Sequence, residues 1–272
     1  MKRVLARVGV YLSLVLATVA VLLPIAIVVI GSLKTNQEYL STGPLTAPHD
    51  WLNVHNYVTA FRDGNMLSGF ANTVMVLALA VGGTILIGAG AAYAIDRFEF
   101  RGRTFTLGAF LVATLVPSVT TQVATFRIIN SLGLYDTIWA GVVLFAGTDI
   151  ISIYIFWQFM RSIPRALDEA ATLDGAGHLR IFFRIILPNL KPAIATVVII
   201  KGIAIYNEFY IPYLYMPDHK TIATSLFAFK GPFGAQWEVI SAGIVIILIP
   251  TLVAFLSLQR YIYNGFTTGA TK

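Results

Sequence analysis

The sequence predicts an all-α integral membrane protein with six transmembrane helices. Of its 272 residues, 57% are hydrophobic and 12% are charged, which is about half the charged share of a soluble domain. The charged residues lie between apolar runs that are long enough to cross a bilayer as helices. This pattern indicates a chain embedded in a membrane and excludes an ordinary soluble domain.

The apolar runs define a single transmembrane domain that covers residues 1–272. The first run follows Met1, Lys2 and Arg3 and exceeds the length of a signal-peptide core, so we expect it to remain as a spanning helix. A short interfacial helix is expected over Asn53–Phe61. The predicted spans cover approximately residues 8–33, 70–95, 104–127, 137–160, 192–214 and 240–261.

The basic residues predict the orientation of these spans. With the amino terminus inside, thirteen lysines and arginines lie on the cytoplasmic side, five lie outside, and Lys201 lies within a span. Cytoplasmic loops carry the excess of positive charge in membrane proteins. We therefore expect both termini and the loop of residues 161–191 in the cytoplasm, and the same distribution argues against a nucleic-acid partner.

The second span is rich in glycine. A run such as Gly88-Ala89-Gly90 is found in dinucleotide-binding loops, but here no strand precedes it and no polar ribose partner follows. Small residues also let membrane helices approach one another closely. We therefore interpret the glycines as helix-packing positions.

Two of the apolar spans contain polar residues that need an explanation. In the third span, Pro117 precedes a polar cluster that either lines a hydrated path or satisfies backbone carbonyls freed by the proline. In the fourth span, Asp149 requires an inward face, a partner or local water, or marks a break in the helix near Gly147. The cluster consists of Ser118, Thr120, Thr121 and Gln122.

The fifth span carries the most polar residues. Lys201 and Glu208 are seven residues apart, which predicts that they share one helical face. Such a face could form the wall of a translocation path for a polyhydroxylated solute, or an ion pair or subunit contact that fixes helix packing. The candidate path residues are Asp149, Lys201, Tyr206, Asn207, Glu208 and Tyr210.

The loop after the fourth span is amphipathic. Its sequence predicts a short helix from about Arg165 to Leu173 and a second from His178 to Leu187, which runs into Pro188. Gly175 and Gly177 separate the two helices, since glycine adopts the positive φ angles that a sharp turn requires. Two short helices with a bend between them form a knob.

Seven fixed positions in this loop carry a family resemblance. Glu169-Ala170-Ala171, then Gly175, then Ile185, then Leu187-Pro188 resembles the EAA loop in the membrane subunits of bacterial binding-protein-dependent ABC importers. The resemblance implies that the loop is a cytoplasmic coupling helix that docks into a cleft on an ATPase subunit. We expect Ala170 and Ala171 to permit close approach, and Glu169 and Asp174 to bind partner donors or cap the turn.

Two further stretches resemble the sugar-importing branch of that family. Ala91–Ala94 followed by Arg97–Arg103 matches a recurrent tract, and the tail Gln259–Lys272 is similar to the ending of the smaller permease subunit in maltose-type importers. The resemblance implies a type I ABC importer permease fold and a mono- or oligosaccharide substrate. It also implies a second permease subunit, two ATPase subunits that bind ATP-Mg, an extracytoplasmic binding protein, and the bacterial plasma (inner) membrane as location.

The sequence contains no phosphate-binding loop, metalloprotease motif or nucleophile elbow. We therefore expect no enzymatic activity, no cofactor and no metal site in this chain, with ATP hydrolysis on a partner. The alternatives are an importer permease for another solute, or an ATP-independent channel or membrane enzyme that uses Asp149, Lys201 and Glu208.

Overall fold

A computed structural model describes residues 2–147, 149–232 and 234–270, and its elements are mostly helices. The chain up to Met160 contains α1 to α8. Their bounds are α1 Lys2–Ser32, α2 Asn36–Ser41, α3 His55–Asp63, α4 Met66–Arg97, α5 Arg103–Thr114, α6 Ser118–Ser131, α7 Ile138–Gly147 and α8 Ile150–Met160.

The rest of the chain, from Ala166 onward, contains shorter helices, one small hairpin and a long last helix. β1 and β2 pair antiparallel, with Lys230 opposite Ala235. The bounds are α9 Ala166–Leu173, α10 His178–Ile181, a π-helical turn Phe182–Ile186, α11 Leu187–Asn189, α12 Lys191–Asn207, α13 Tyr210–Tyr215, α14 Ile222–Ser225, a 3-10 turn Leu226–Phe229, β1 Lys230–Gly231, β2 Gly234–Ala235 and α15 Trp237–Ala270.

Three helices are long and apolar enough to cross a membrane, namely the segments Gly9–Ser32, Met66–Arg97 and Trp237–Ser257. Three bent helix pairs also have the composition of a span, which gives up to six in the part of the chain that the structure describes. The bends are 104° between α5 and α6, 46° between α7 and α8, and 73° between α11 and α12. The last pair begins at His178, before the predicted fifth span.

Breaks interrupt three of the predicted spans at identifiable residues. Pro117 precedes the first turn of α6, where its missing N–H is no loss. Asp149 precedes α8, which confirms the alternative that it marks a helix break. At Glu208 the backbone becomes extended, with ψ 118, and separates α12 from α13. Interrupted backbone at membrane depth is tolerated where protein or water surrounds it.

The structure divides into two compact units, and the first comprises residues up to Leu67 together with Thr224–Leu256. Polar side chains stabilise the end of α1 within this unit. The Asn56 amide donates to the backbone oxygens of Ser32 and Lys34, at 2.9 and 2.7 Å. The buried Lys34 ammonium donates to Thr42 Oγ1 and to the Gly43 oxygen, at 2.9 and 2.8 Å.

The second unit comprises Ser68–Ala223 and residues from Ser257 onward. It contains two hydrophobic clusters. One surrounds Phe156, Met160 and Ile186, which are fully buried. The other surrounds Val76 and Met216. The first cluster therefore joins the membrane helices α4, α8 and α12 to the amphipathic loop.

Close helix packing explains two of the glycines in α4. A Cβ atom at Gly83 would lie 3.0 Å from the Ala146 Cβ, and one at Gly88 would lie 3.1 Å from the Phe156 ring. The packing interpretation is correct for these two positions. Among the described residues, Gly82 and Gly90 have no such neighbour within 4 Å, and at these two positions the packing interpretation stays a prediction.

Candidate functional site

The amphipathic loop forms a knob of short helices, as the sequence predicts. Gly175 has φ +78 and ends the first helix. Gly177 has φ −75, so the expectation that it also needs a positive φ is wrong. Pro188 does not end the second helix but lies in the first turn of α11, where proline is tolerated.

The knob turns some of the predicted coupling residues outward and others inward. Glu169, Ala170, Asp174, Gly175 and Pro188 are exposed. Asp174 also caps α9 through its backbone N–H, which donates to the Ala170 oxygen.

The inward-facing residues pack on the rest of the chain. Ala171 is buried in the cluster around Phe156, and Ile185 and Leu187 pack against the same cluster. The small size of Ala171 therefore serves packing within the chain, which corrects the expectation that it permits close approach of a partner. Ile185 lies in the π-helical turn, an irregularity that is frequent at functional sites.

Four large apolar side chains project from the knob, and we call them the knob surface. Leu173 is 89% exposed and Leu179 is 76% exposed, although apolar residues of this size are normally buried. Sequence reasoning missed these residues, although their apolar character in a polar stretch was a usable signal. The knob surface consists of Leu167, Leu173, Leu179 and Phe183.

A buried ion-pair network attaches the knob to the end of α4. The Arg97 Nε lies 2.7 Å from the Asp168 carboxylate, and its NH1 lies 2.8 Å from the Asp96 carboxylate. The Arg97 side chain is 8% exposed. Arg97 also donates to the Ile163 oxygen at 3.0 Å, and Arg165 donates to the Asp96 oxygen at 2.7 Å. We call Asp96, Arg97, Arg165 and Asp168 the charge cluster.

The charge of Asp168 depends on its neighbours. Burial raises the pKa of the Asp168 carboxyl, and the Arg97 and Arg165 guanidiniums oppose part of that rise. Asp96 adds to the rise because it carries a like charge. The two guanidiniums therefore favour the ionised form of the Asp168 carboxyl, whereas its burial and Asp96 favour the neutral form.

Aromatic rings join α4 to the second half of the knob. Tyr93 lies with its ring centroid 5.4 Å from Phe182 and 5.8 Å from Phe98. Phe98 in turn meets the His178 ring at 5.0 Å, edge to face. The last turns of α4 therefore contact both halves of the knob, with charges towards α9 and with rings towards α10.

Among the candidate path residues, Lys201 and Asp149 form a direct pair. The Lys201 Nζ lies 3.3 Å from the Asp149 carboxylate and donates to the Phe145 oxygen at 3.2 Å. The Ser152 hydroxyl donates to the same carboxylate. The pair therefore connects α12 to the break between α7 and α8 and gives Asp149 the partner that its position within a span requires. The two side chains are 17% and 9% exposed.

Glu208 does not share a helical face with Lys201, because α12 ends at Asn207. The expectation from the spacing is wrong at this point. The Glu208 carboxylate accepts from the backbone N–H groups of Tyr210 and Ile211, at 2.7 and 3.3 Å. It thus satisfies donors at the start of α13 that have no partner within the helix.

The remaining polar residues lie beside this break. The Tyr210 hydroxyl donates to Gln122 Oε1 at 2.8 Å, which connects α13 to α6. Asn207 is exposed and donates to the Ile203 oxygen at 2.9 Å, and Tyr206 is half-buried. The Thr120 hydroxyl donates to the Pro117 oxygen at 2.7 Å, an oxygen that also accepts from the Thr120 backbone N–H, so both interpretations of the polar cluster stay predictions.

The predicted sugar-importer tail Gln259–Lys272 is described only in part. The backbone of α15 continues to Ala270. Thr271, Lys272 and the side chains from Leu258 onward lie outside the described residues.

Comparison with known proteins gives a family match over most of the chain. Residues 84–267 match the family described as binding-protein-dependent transport system inner membrane component. The chain is 33% identical to the probable ABC transporter permease protein YurM of Bacillus subtilis, over 97% of this chain and 88% of the relative. It is 30% identical to the trehalose/maltose transport system permease protein MalG of Thermococcus litoralis, over 100% and 99%.

A solved structure supports the predicted fold class. One chain of a bacterial ABC transporter involved in the import of the acidic polysaccharide alginate superposes with a TM-score of 0.79. The alignment covers 95% of this chain and 96% of that chain at 21% sequence identity. The fold is therefore that of a type I ABC importer permease.

Proposed function

The chain belongs to the family of inner membrane components of binding-protein-dependent transport systems, and we propose that it is the permease subunit of an ATP-driven sugar importer. The observation that carries the proposal is the knob surface. Leu173 and Leu179 are exposed on a loop that we expect in the cytoplasm from the distribution of basic residues. Exposed apolar side chains on one loop provide surface that a partner protein can bury.

The knob surface fits an ATPase subunit as its partner. The exposed residues of the predicted coupling motif, including Glu169, occupy the same loop as Leu173 and Leu179. A partner that moves the knob would also move the membrane helices, because the knob packs on the cluster around Phe156 and on α4. We infer that two ATPase subunits bind the knobs of this chain and of a sister permease, and that their closure on ATP drives alternating access.

A sugar is the substrate that we propose. The trehalose/maltose transport system permease protein MalG aligns with the whole chain, and the tract Arg97–Arg103 also resembles sugar importers. The exposed Asn207 and Tyr210 provide amide and hydroxyl groups beside the break at Glu208, and such groups suit a polyhydroxylated solute. An extracytoplasmic binding protein would deliver the sugar to the translocation path that these residues line.

The residues on which a channel or membrane enzyme would rely already have structural partners. Asp149 and Lys201 pair with each other, and Glu208 accepts two backbone N–H groups. These contacts favour roles in helix packing over catalysis. We therefore favour the importer permease over this alternative.

Reconstitution with the co-purifying partners tests the proposal. We expect Leu179→Asp and Glu169→Arg to release the ATPase subunits or to abolish ATP-dependent uptake across a panel of sugars. Leu52→Asp is the matched control, because Leu52 is 83% exposed but lies in the first predicted external loop. Unchanged ATPase content and uptake in both knob variants would refute the coupling role, and uptake of no sugar by the native complex would refute the substrate.

A further inference from the structure

The charge cluster attaches the knob to α4 in addition to the apolar contacts of the knob. Ala171 and Phe182 already attach the knob to the hydrophobic cluster around Phe156. Arg97 and Asp168 are nonetheless brought together with side chains that are 8% and 17% exposed. Burying such charges costs free energy that their attraction does not always recover, so the network calls for a role beyond stability.

The contacts of Arg97 connect three parts of the chain. Its Nε meets Asp168 on α9, its NH1 meets Asp96 on α4, and its NH2 donates to the Ile163 oxygen in the turn after α8. Arg165, which directly precedes α9, donates a hydrogen bond to the backbone oxygen of Asp96 on α4, at 2.7 Å. The contact from α4 to α9 and the contact from Arg165 back to α4 both use guanidinium groups. The planar guanidinium group holds a fixed hydrogen-bond geometry better than an ammonium group does.

We propose that Arg97 and Asp168 are positioning residues that fix the coupling helix α9 to the end of α4, so that α9 and α4 move together when the ATPase subunits move the knob. This inference rests on the proposed function, because it assumes that the knob receives the movement. The apolar contacts of Ala171 permit sliding, since dispersion contacts have no preferred direction. The paired charges oppose sliding, because displacement would leave a buried charge without its partner.

The proposal assigns a specific route from the knob to the membrane. α4 is a continuous helix of 32 residues from Met66 to Arg97, whereas α7 and α8 are interrupted beside Asp149. A continuous helix transmits displacement of one end to the other. Gly83 and Gly88 place α4 in close contact with Ala146 and Phe156, so movement of α4 reaches the break that Asp149 and Lys201 occupy.

Spin labels test the attachment directly, since the chain contains no cysteine. Labels on Thr172→Cys and Arg101→Cys, both exposed, report the spacing of α9 from the segment that follows α4. In the native complex we expect one narrow distance distribution that ATP does not change. Asp168→Asn and Arg97→Gln should each broaden it, and the double variant should broaden it no further than either single variant.

Coupling is measured in the same variants. We expect Asp168→Asn to retain its ATPase subunits and basal ATP hydrolysis, and to lose about fivefold or more of the uptake per ATP hydrolysed, a typical coupling effect. Glu99→Gln is the matched control, because Glu99 is an exposed carboxylate three residues from Asp96. It should behave as native protein in both measurements.

The outcomes separate this inference from the proposed function. Native spacing or native uptake per ATP in both Asp168→Asn and Arg97→Gln would overturn the positioning role. Loss of the ATPase subunits from these variants would also overturn it, because the pair would then serve docking or folding. Leu179→Asp leaves the charge cluster intact and tests the proposed function. If this variant retained its ATPase subunits, the proposed function would fail while the positioning role stayed untouched.

Discussion

The Lys201 ammonium lies 3.3 Å from the Asp149 carboxylate and closes the break between α7 and α8. Phe145, in the last turns of α7, offers its backbone oxygen to the same ammonium. Lys201 therefore replaces hydrogen bonds that the interrupted helix cannot form within itself. The pair joins α12 to the break between α7 and α8. Because each charge has the other as its partner, both are accommodated within apolar runs.

Removing the charge of one partner should lower the stability of the folded protein more than removing both charges. We expect Lys201→Met to lower the stability of the folded protein by about 3 to 5 kcal/mol, because Asp149 is left as an unpaired buried charge. The double variant Lys201→Met with Asp149→Asn should recover much of that loss. Thermal unfolding in detergent measures both, and equal destabilisation of the single and double variants would show that the pair is not coupled.

Glycine substitutions in α4 should differ according to their neighbours. We expect Gly88→Val to destabilise the protein by about 1 to 3 kcal/mol, as in other overpacked cores, because the new side chain meets the Phe156 ring. Gly82→Val is the control, since no described residue beyond its own helical backbone lies within 4 Å of its Cβ position. Thermal unfolding of the two variants distinguishes close packing from a general requirement for glycine, which would make them equally unstable.

The two glycines of the knob should also differ from each other. Gly175→Ala should destabilise the turn by about 1 kcal/mol or more, because an L side chain is strained at φ +78. Gly177→Ala should be tolerated, since φ is −75 and the Cβ position is open. Limited proteolysis of the knob measures the difference. Similar cleavage rates would mean that the positive φ is not what selects glycine at residue 175.

Glu38 should make the segment around α2 sensitive to acid. Its carboxylate accepts from the backbone N–H groups of Thr35 and His49, at 2.7 and 2.9 Å. These hydrogen bonds lower its pKa from 4.5 to about 2. The folded state therefore binds the proton more weakly than the unfolded state, so the stabilisation is complete above pH 4.5 and disappears as the pH falls towards 2.

Hydrogen exchange of the His49 amide measures this effect. After correction for the intrinsic rate, we expect protection to be constant from pH 7 to about 5 and to fall between pH 4.5 and 2, the window set by the shifted pKa. Glu38→Gln should show lower protection and no such transition. Equal protection profiles for native and variant protein would contradict the role of the carboxylate.

The sequence by itself determined the class of the fold and the place of the knob. Both follow from local properties, since apolar runs must lie in lipid and the stretch around Gly175 alternates polar and apolar residues at helical spacing. The motif from Glu169 to Pro188 also predicted the family, which the match over residues 84–267 confirms.

Only the tertiary structure decided which residues meet. Lys201 pairs with Asp149, 52 positions away, rather than with Glu208 on its own span, because α12 ends at Asn207 and the break turns the Glu208 carboxylate to the backbone of α13. Arg97 similarly meets Asp168 across two intervening helix pairs. Such contacts depend on where helices break and how they pack, and these properties involve residues far apart in the chain, which local patterns do not encode.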